Sequence, residues 1–521
     1  MPQGTTFNPL QFFTPADYWV SLPVIMLSLF ACGLLIVDLM IPVRQKVLNA
    51  WIAIGGLGFT AATVVRLHMG LLQEGAPRYF SGFRHAVVID GTSIFFFYLF
   101  LASAAITIFM SAKYLEAERE HRGEYYALLL FSTIGMFCLA MGRDLVLLFI
   151  GLELMSISIY VLVGFLRTDK RSNEAALKYL LLGAFSSGIL AYGFSLLYGL
   201  SGSTNLAPIA RALERVAAQG TDVVGVVALV TTSAGLFFKI AAVPFHMWAP
   251  DAYEGAPTTV TGFMSVAVKA AAWALTLRIF LDAFAPLREL YMPMIVFVAL
   301  ATMTVGNLAA ITQSNTKRLL AYSSIAHVGF MLLGLLATTA TGVKGILMYL
   351  LVYTFMNLGA FGVIASLRRR NIVGDQLDDI SGLWFKAPRE ALLMLVFLLS
   401  LAGVPPLAGF YGKYFIFLSL IESGNLASTA GAAGSAKMFY VLATVAVLYV
   451  AISLYYYLRI ANAMFMRPAM DTEPVNSSPG MQLALAVTAI ATIGIGVMPE
   501  WFIRLTEWSL GLVKTGAVAL R

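Results

Sequence analysis

Five ionisable residues lie inside long apolar runs of the sequence, where charged side chains are rare. They are Glu153, Lys178, Lys239, Lys269 and Lys413. A single lysine at the centre of a bilayer costs on the order of 3 kcal/mol, so a chain that retains one uses it for structure or for moving charge. One acid cannot supply a carboxylate partner to each of the four lysines. This imbalance favours proton transfer over a set of buried ion pairs.

Proton transfer by a lysine depends on removing water from its ammonium group. A solvated lysine keeps its proton at neutral pH, whereas desolvation favours the neutral amine and permits exchange. A carboxylate that approaches restores the charged form, and its withdrawal releases the proton. Glu153 therefore suits a tuning role, while Lys239 and Lys413 suit a relay. Lys178 is only one or two turns inside its run, so its ammonium could instead reach the membrane interface.

Proline interrupts two of these runs close to a lysine. Pro244 follows Lys239, and Pro405 precedes Lys413. Because proline interrupts the hydrogen bonding of a helix, breaks of this kind at bilayer depth usually mark an ion or substrate path. His246, just past the first break, could contact a water wire or simply bond a neighbouring helix.

Two further groups of polar residues have more ordinary interpretations. The first suits hydrogen bonds between helices and comprises His327, Ser186, Ser187, Ser323, Ser324, Tyr322, Asn307 and Thr259. The second lies near the ends of apolar runs, where we expect the side chains to reach the interface, and comprises Asp38, Arg66, Arg278 and Arg459.

The elements that position these residues must be membrane spans. Hydrophobic residues make up 60% of the 521 residues and charged residues only 12%, against roughly 25% charged in soluble domains. Runs of about 20 apolar residues, enough to cross a bilayer, recur along the chain. We predict spans at 19–41, 49–68, 88–112, 125–142, 144–166, 174–200, 222–250 (broken), 258–281, 291–312, 317–337, 343–367, 390–421, 436–465 and 480–502. The predicted fold is an all-α polytopic membrane protein with about fourteen transmembrane helices.

Two pairs of similar segments indicate an internal repeat. Ala241–Phe245 resembles Ala402–Pro406, and Ser156–Phe165 resembles Tyr322–Phe330 at nearly the same offset. A unit of five helices used twice must be inverted in its second copy, which is typical of transporters. We therefore predict one membrane domain over 1–521. Its parts are three N-terminal spans in 1–113, a first repeat in 125–281 (spans 4–8), a second repeat in 291–465 (spans 9–13) and a last span at 480–502.

Charge patterning gives the orientation of the chain and excludes one class of partner. One set of alternate loops carries more Lys and Arg than the other, which places both termini outside the cytoplasm. The stretch 206–219 has helical apolar spacing with Arg211, Glu214 and Arg215 opposite, and it predicts a helix on the membrane surface. The net charge of +7 is spread thinly over the loops, which argues against nucleic-acid binding.

The sequence lacks motifs for nucleotides, metals and electron carriers. It contains no GxGxxG, P-loop, CxxCH or HExxH, and Cys32 and Cys138 are too few and too far apart for an iron–sulfur or zinc site. The energy for moving protons uphill would therefore come from a partner or from an ion gradient.

Four motifs identify the chain as similar to a known family. Val243–Thr258 (VPFHMWAPDAYEGAPT) closely resembles the signature of the antiporter-like membrane subunits of proton-pumping NADH:quinone oxidoreductase, respiratory complex I. Arg171–Tyr179, Thr316–Ser324 and Pro405–Lys413 match the same family in the same order. The form of the first motif and the lysine at 413 are most similar to the subunit N branch. Subunit M has a glutamate at the latter position, and subunit L continues into a long lateral helix.

The resemblance implies a role for each buried charge. Glu153 and Lys178 would form a charge-modulating pair, Lys239 the central relay, Lys269 the connecting lysine and Lys413 the exit-side relay. It also implies a bacterial inner membrane location, with neighbouring subunits of the M and K types. Flavin, iron–sulfur clusters and quinone would lie in partner subunits, and this chain would hold no cofactor or metal.

Two alternatives share these residues. A subunit of a multi-subunit cation/proton antiporter would have the same fold and lysines, with exchange that depends on sodium or potassium and needs no quinone. A structural membrane scaffold would use the lysines only to pair with lipid phosphates or Glu153.

Overall fold

A computed structural model describes residues 13–73, 75, 77–118, 120–219, 223–337, 339–368, 374–469 and 477–510. Thirteen helices within these residues are long and apolar enough to cross a membrane. The prediction of an all-α polytopic membrane protein is therefore confirmed. The twelfth predicted span, 390–421, corresponds to two shorter helices that follow each other across a break.

The first half of the chain contains a small hairpin among its helices. Its elements are α1 (Pro15–Met40), α2 (Leu48–Leu72), β1 (Phe80–Gly82), β2 (Val87–Ile89), α3 (Gly91–Ala117), α4 (Gly123–Met141), α5 (Leu145–Val163), α6 (Lys170–Ser201), α7 (Leu206–Gln219), α8 (Val223–Ile240), α9 (Trp248–Gly255), α10 (Thr258–Phe263) and α11 (Lys269–Arg278). A π-helical segment joins α10 to α11, so that Thr258–Ala283 is one continuous span.

The second half has helices but no strand among its described residues. Its elements are α12 (Arg288–Thr312), α13 (Thr316–Ala337), α14 (Ala340–Ser366), α15 (Leu383–Lys386), α16 (Pro388–Ala402), α17 (Ala408–Thr429), α18 (Ala433–Met466), α19 (Pro479–Val497) and α20 (Glu500–Ser509). The Lys and Arg residues after residue 510 contributed to the predicted orientation, and they lie outside the described residues.

The two predicted helix breaks are present at the expected positions. The first separates α8 from α9 around Pro244, and the second separates α16 from α17 at Pro405; the peptide bonds preceding Pro244 and Pro406 are both cis. A break frees backbone carbonyls that need donors, because no water is available in a bilayer core. The Trp248 indole donates to the carbonyl of Phe238 at 2.8 Å, and Lys413 donates to those of Leu401 and Ala402. At each break, a side chain from the second half of the broken helix therefore donates to carbonyls at the end of the first half.

The packing around the two breaks is similar in the two halves. Helix α6 packs against both α8 and α9, and α14 packs against both α16 and α17. The halves meet where α9 lies on α13 and α10 lies on α14. The second half of each broken helix is therefore held close to a buried interface. The exact division into domains stays a prediction.

Two surface predictions have different outcomes. The stretch 206–219 is helical as predicted, and its apolar residues Leu206, Ile209 and Leu213 are buried against residues 279–287 of the same chain; its position on the membrane surface stays a prediction. Arg278 was expected to reach the interface, yet it is only 7% exposed and is paired with Asp90. For Arg278, an ion pair within the chain therefore replaces the expected contact with the membrane interface.

Candidate functional site

Lys239 is buried near the end of α8 and is held by hydroxyl groups. Its Nζ donates to Ser156 Oγ at 2.8 Å and to the Tyr160 hydroxyl at 3.4 Å, both from α5. The Tyr160 ring lies 5.8 Å from the same nitrogen. Position 183 on α6 is glycine, and any larger residue there would collide with the Tyr160 hydroxyl. Hydroxyl groups both donate and accept, so this site can exchange a proton with a water chain.

Glu153 lies on α5, close enough to Lys239 for electrostatic attraction. Its Oε1 is buried and has no hydrogen-bond partner among the described residues. An unsatisfied carboxylate oxygen in an apolar setting is costly, so it favours a nearby cation or an ordered water. In this structure Glu153 is thus positioned to influence Lys239.

Lys178 has different partners from the one that the family resemblance implied. Its ammonium pairs with Glu174 at 2.7 Å and with Asp251 of α9 at 3.4 Å, and its side chain is 47% exposed. Tyr160 packs against Tyr179 with ring centroids 4.7 Å apart, which puts Lys178 near the level of Tyr160. Glu153 is seven residues earlier on α5, roughly 10 Å along the axis at 1.5 Å per residue. Lys178 therefore contacts Asp251, and no described contact joins it to Glu153.

Asp251 belongs to a charged pocket that sequence reasoning left without a role. The pocket has a volume of about 240 Å³ and lies where α6, α9 and α13 meet. Arg318 of α13 donates to Asp251 at 2.8 Å and to Glu254 at 3.0 Å. The spacing of Asp251 and Glu254, three residues apart on a helix, was the available signal, since such residues share one face. Ion pairs in this pocket therefore join α6 and α9 of the first half to α13 of the second half.

Lys269 lies at the start of α11 in the centre of the protein. Its Nζ donates to the Ser324 hydroxyl and contacts the Ser324 carbonyl oxygen at 3.4 Å. The Tyr253 ring of α9 is 5.8 Å away. Lys269 is therefore buried between the second half of one broken helix and α13, with no carboxylate partner among the described residues.

His327 lies between Lys269 and Lys413 and interacts electrostatically with both. Its Nδ1 is 2.5 Å from the Tyr349 hydroxyl, and its Nε2 is 2.9 Å from the Tyr457 hydroxyl. Because one ring nitrogen donates while the other accepts, this arrangement can pass a proton from one side of the ring to the other. Sequence reasoning grouped His327 with ordinary interhelical hydrogen bonds and so missed its central position.

Lys413 is buried on α17 beside the second break. Its Nζ donates to the carbonyls of Leu401 at 3.0 Å and Ala402 at 2.7 Å, and the Phe330 ring is 5.5 Å away. These carbonyls end α16, where the helix dipole is negative and stabilises a cation. Gly403, which follows, adopts a left-handed conformation with φ of 88°. In addition to its predicted role in proton transfer, Lys413 therefore caps the C-terminal end of α16.

His246 lies beside the first break without a described contact to the buried lysines. Its ring is half-buried, and its Nδ1 has no hydrogen-bond partner among the described residues. No described contact joins it to any of the four lysines. The part of the chain that the structure describes also has no cluster of His, Cys, Asp and Glu suited to a metal ion.

Comparison with known proteins finds a matching family profile and several similar relatives. The family profile described as NADH:quinone oxidoreductase/Mrp antiporter, TM matches residues 142–438. A relative from Koribacter versatilis named NADH-quinone oxidoreductase subunit N 1 is 59% identical over 95% of this chain and 96% of its own length. A relative from Solibacter usitatus named NADH-quinone oxidoreductase subunit N 2 is 52% identical over 96% of this chain and 98% of its own.

Solved structures give the same result for the fold. A chain of respiratory complex I from Thermus thermophilus, solved with bound aureothin, superposes with a TM-score of 0.74 at 33% identity, covering 93% of this chain and 99% of that one. A chain of the Mrp complex from a Dietzia species superposes with a TM-score of 0.77 at 22% identity, covering 97% and 98% respectively. At that identity the second likeness concerns the fold alone.

Proposed function

This chain belongs to the NADH:quinone oxidoreductase/Mrp antiporter family, and from that premise we propose that it is a proton-translocating membrane subunit of NADH:quinone oxidoreductase. The two relatives named subunit N indicate which membrane subunit of that enzyme it is. In this role the chain couples quinone reduction in partner subunits to proton transfer along its buried lysines and Glu153.

The observation that carries the proposal is the partner set of the buried lysines. Lys239, Lys269 and Lys413 are each at most 4% exposed, and each ammonium is held by hydroxyl or carbonyl oxygens rather than by a carboxylate. Burial disfavours the charged ammonium, and no described carboxylate forms an ion pair with any of the three. Such sites can gain and lose a proton when a nearby charge moves.

The proposed route begins at the charged pocket and ends at the second break. A change in a neighbouring subunit shifts the Lys178–Asp251 contact and alters the field at Glu153 and Lys239. Lys239 then releases its proton toward Lys269 through waters that enter at the break near Pro244. His327 carries it from Lys269 to Lys413, from which it leaves. His246 can contact the water chain beside the first break.

The setting of this subunit follows from the same proposal. It works in a multi-subunit complex of the bacterial inner membrane, with both termini on the periplasmic side. We expect neighbours of the subunit M and subunit K types. The chain itself carries no redox centre, and flavin, iron–sulfur clusters and quinone belong to its partners.

The test is Lys239→Ala in the assembled complex, with Lys437→Ala as a matched control. Lys437 is an exposed lysine at the start of α18. Proton translocation per electron should fall in Lys239→Ala and remain unchanged in Lys437→Ala, measured with reconstituted complex and a pH-sensitive dye. Undiminished pumping in Lys239→Ala overturns the relay.

The fold likeness to the Mrp chain keeps a cation/proton antiporter as the second candidate. It requires proton exchange that depends on sodium or potassium without quinone. Purification with native partners separates the two: flavin and iron–sulfur subunits should copurify under the first proposal, and their absence together with cation-driven exchange supports the second. A purely structural scaffold requires that Lys413→Met leave pumping intact.

A further inference from the structure

A large apolar pocket lies at one edge of the molecule, far along the chain from the lysines. It has a volume of about 800 Å³ and opens between the first turns of α1, the last turns of α2 and strand β1. Small residues, Ala16, Ala62 and Gly70, line it and make it concave. Its volume falls in the range of roughly 300–1,000 Å³ that is usual for small-molecule sites.

One cation lines this pocket. The guanidinium of Arg66 lies over the Trp19 ring, 4.1 Å from its centroid. Stacking on an indole face occupies the flat side of a guanidinium and leaves its N–H edges free to bind an anion. Within the described residues, no carboxylate lies at ion-pair distance from Arg66, so none of these residues matches its charge.

The level of Arg66 corresponds to the polar boundary of a membrane. Arg66 is six residues before the end of α2, and Trp19 is four residues after the start of α1. At 1.5 Å per residue these positions are about 9 Å and 6 Å from the helix ends. Trp19 and Tyr79, both partly exposed at the pocket, are the residue types that collect at the membrane interface. The pocket therefore extends from headgroup level into the hydrocarbon.

We propose that this pocket binds one anionic phospholipid. Its phosphodiester pairs with the free edge of Arg66, and one acyl chain fills the apolar space beside Ala62 and Gly70. Arginine matches a phosphate with two parallel hydrogen bonds. Because Arg66 is the one charged residue in the described lining of the pocket, the site favours a headgroup with net negative charge, such as phosphatidylglycerol, over a zwitterionic one.

Charge and shape favour a lipid over a partner helix as the occupant. A helix that covered Arg66 at this depth would need a carboxylate to match it, and a helix surface is convex and would leave the deep part of the pocket empty. A flexible acyl chain can fill a narrow concave space. The neighbouring surface of α1 is also lipid-like, with Leu29, Ile36 and Leu39 all more than half exposed.

The test uses the purified complex in nanodiscs that contain phosphatidylglycerol with a photoreactive group in its acyl chain. Illumination should label peptides that cover 62–70 and 79–81 in the wild type. In Arg66→Gln, labelling should fall about tenfold, since a charge-assisted contact of this kind is worth roughly 1.5 kcal/mol or more. A phosphatidylcholine probe should label the wild type several-fold less than phosphatidylglycerol does.

Two further variants keep the result interpretable. Arg215→Gln removes an exposed arginine from α7, away from the pocket, and should leave labelling unchanged. Ala62→Trp fills the pocket while keeping the charge of Arg66, one helical turn away, and should also abolish labelling. Equal labelling in Arg66→Gln and wild type overturns the proposal, as does cross-linking of Trp19 to a neighbouring subunit in place of lipid.

Discussion

Two regions of this protein bury charged groups in opposite ways. Asp90, just before α3, pairs with Arg278 of α11 through two hydrogen bonds of 2.7 and 3.0 Å. Arg278 also donates to Ser93 at 3.0 Å and to the carbonyl of Ala140 at 2.9 Å. Among the described residues, Lys239 has two hydroxyl acceptors, one of them at 3.4 Å, and no ion pair. The first region is saturated with partners, and the second is not.

This difference separates structural charge from charge that can move. A saturated pair fixes both ionisation states, because changing either one leaves a buried charge unmatched. A lysine that is hydrogen-bonded to neutral oxygens has no paired charge to fix its ionisation state. A small change in the surrounding electric field can therefore make it gain or lose a proton. The partner set, rather than burial alone, therefore distinguishes the Asp90–Arg278 clamp from the lysine path.

The largest expected effect comes from breaking the clamp. Arg278→Met leaves Asp90 buried without its main partner and should destabilise the protein by about 3–5 kcal/mol. Lys239→Met removes an unmatched charge and should cost much less stability, although it stops the relay. Thermal unfolding of the purified complex measures both.

The control is the double variant Asp90→Asn with Arg278→Met. It removes both charges and should recover part of the lost stability. A melting temperature of Arg278→Met equal to that of the wild type would show that the clamp is not structural.

The clamp also marks the limit of what the sequence could predict. Apolar run length and proline positions are local signals, and they located the spans, the two breaks and the lysines. The partner of Arg278 lies 188 residues away, so Arg278 was placed at the interface. For the same reason the contact of Lys178 with Asp251, 73 residues away, was not expected. The position of His327 between two lysines likewise depends on three helices meeting in space.

A smaller effect should separate Lys413 from Lys239. Lys413→Met deprives the carbonyls of Leu401 and Ala402 of their donor at the break and should cost about 2 kcal/mol of stability, since hydrogen bonds to charged groups contribute about 1.5–3 kcal/mol. Lys239→Met leaves no carbonyl without its donor, because the two hydrogen-bond acceptors of Lys239 are hydroxyl groups that can bond to each other. Melting temperatures should therefore fall further in Lys413→Met, with exposed Lys437→Met as the control. Equal melting temperatures for the two buried-lysine variants would contradict the capping role of Lys413.

A still smaller change should sharpen the account of Lys239. Ser156→Ala removes the shorter of its two hydrogen bonds and should lower proton translocation several-fold, since such a bond contributes about 1 kcal/mol. Tyr160→Phe removes the bond of 3.4 Å and should have less effect. The comparison is the ratio of protons to electrons in the two variants, with intact NADH oxidation as the control. A larger loss in Tyr160→Phe would make the tyrosine the main proton contact.

The smallest expected effect concerns pH and tests the clamp alone. Burial by itself would raise the pKa of Asp90, but the charge and hydrogen bonds of Arg278 outweigh it, and the pKa of this carboxyl is lowered. A group with a lowered pKa stabilises the fold fully above its unfolded value, about 3.9, and loses this contribution only as pH falls through the folded value. Between pH 5 and 8 the contribution of the clamp should therefore stay constant. The melting temperature difference between wild type and Asp90→Asn should be flat across that window; a difference that shrinks toward pH 5 would mean that burial outweighs Arg278 and that the pair is not saturated.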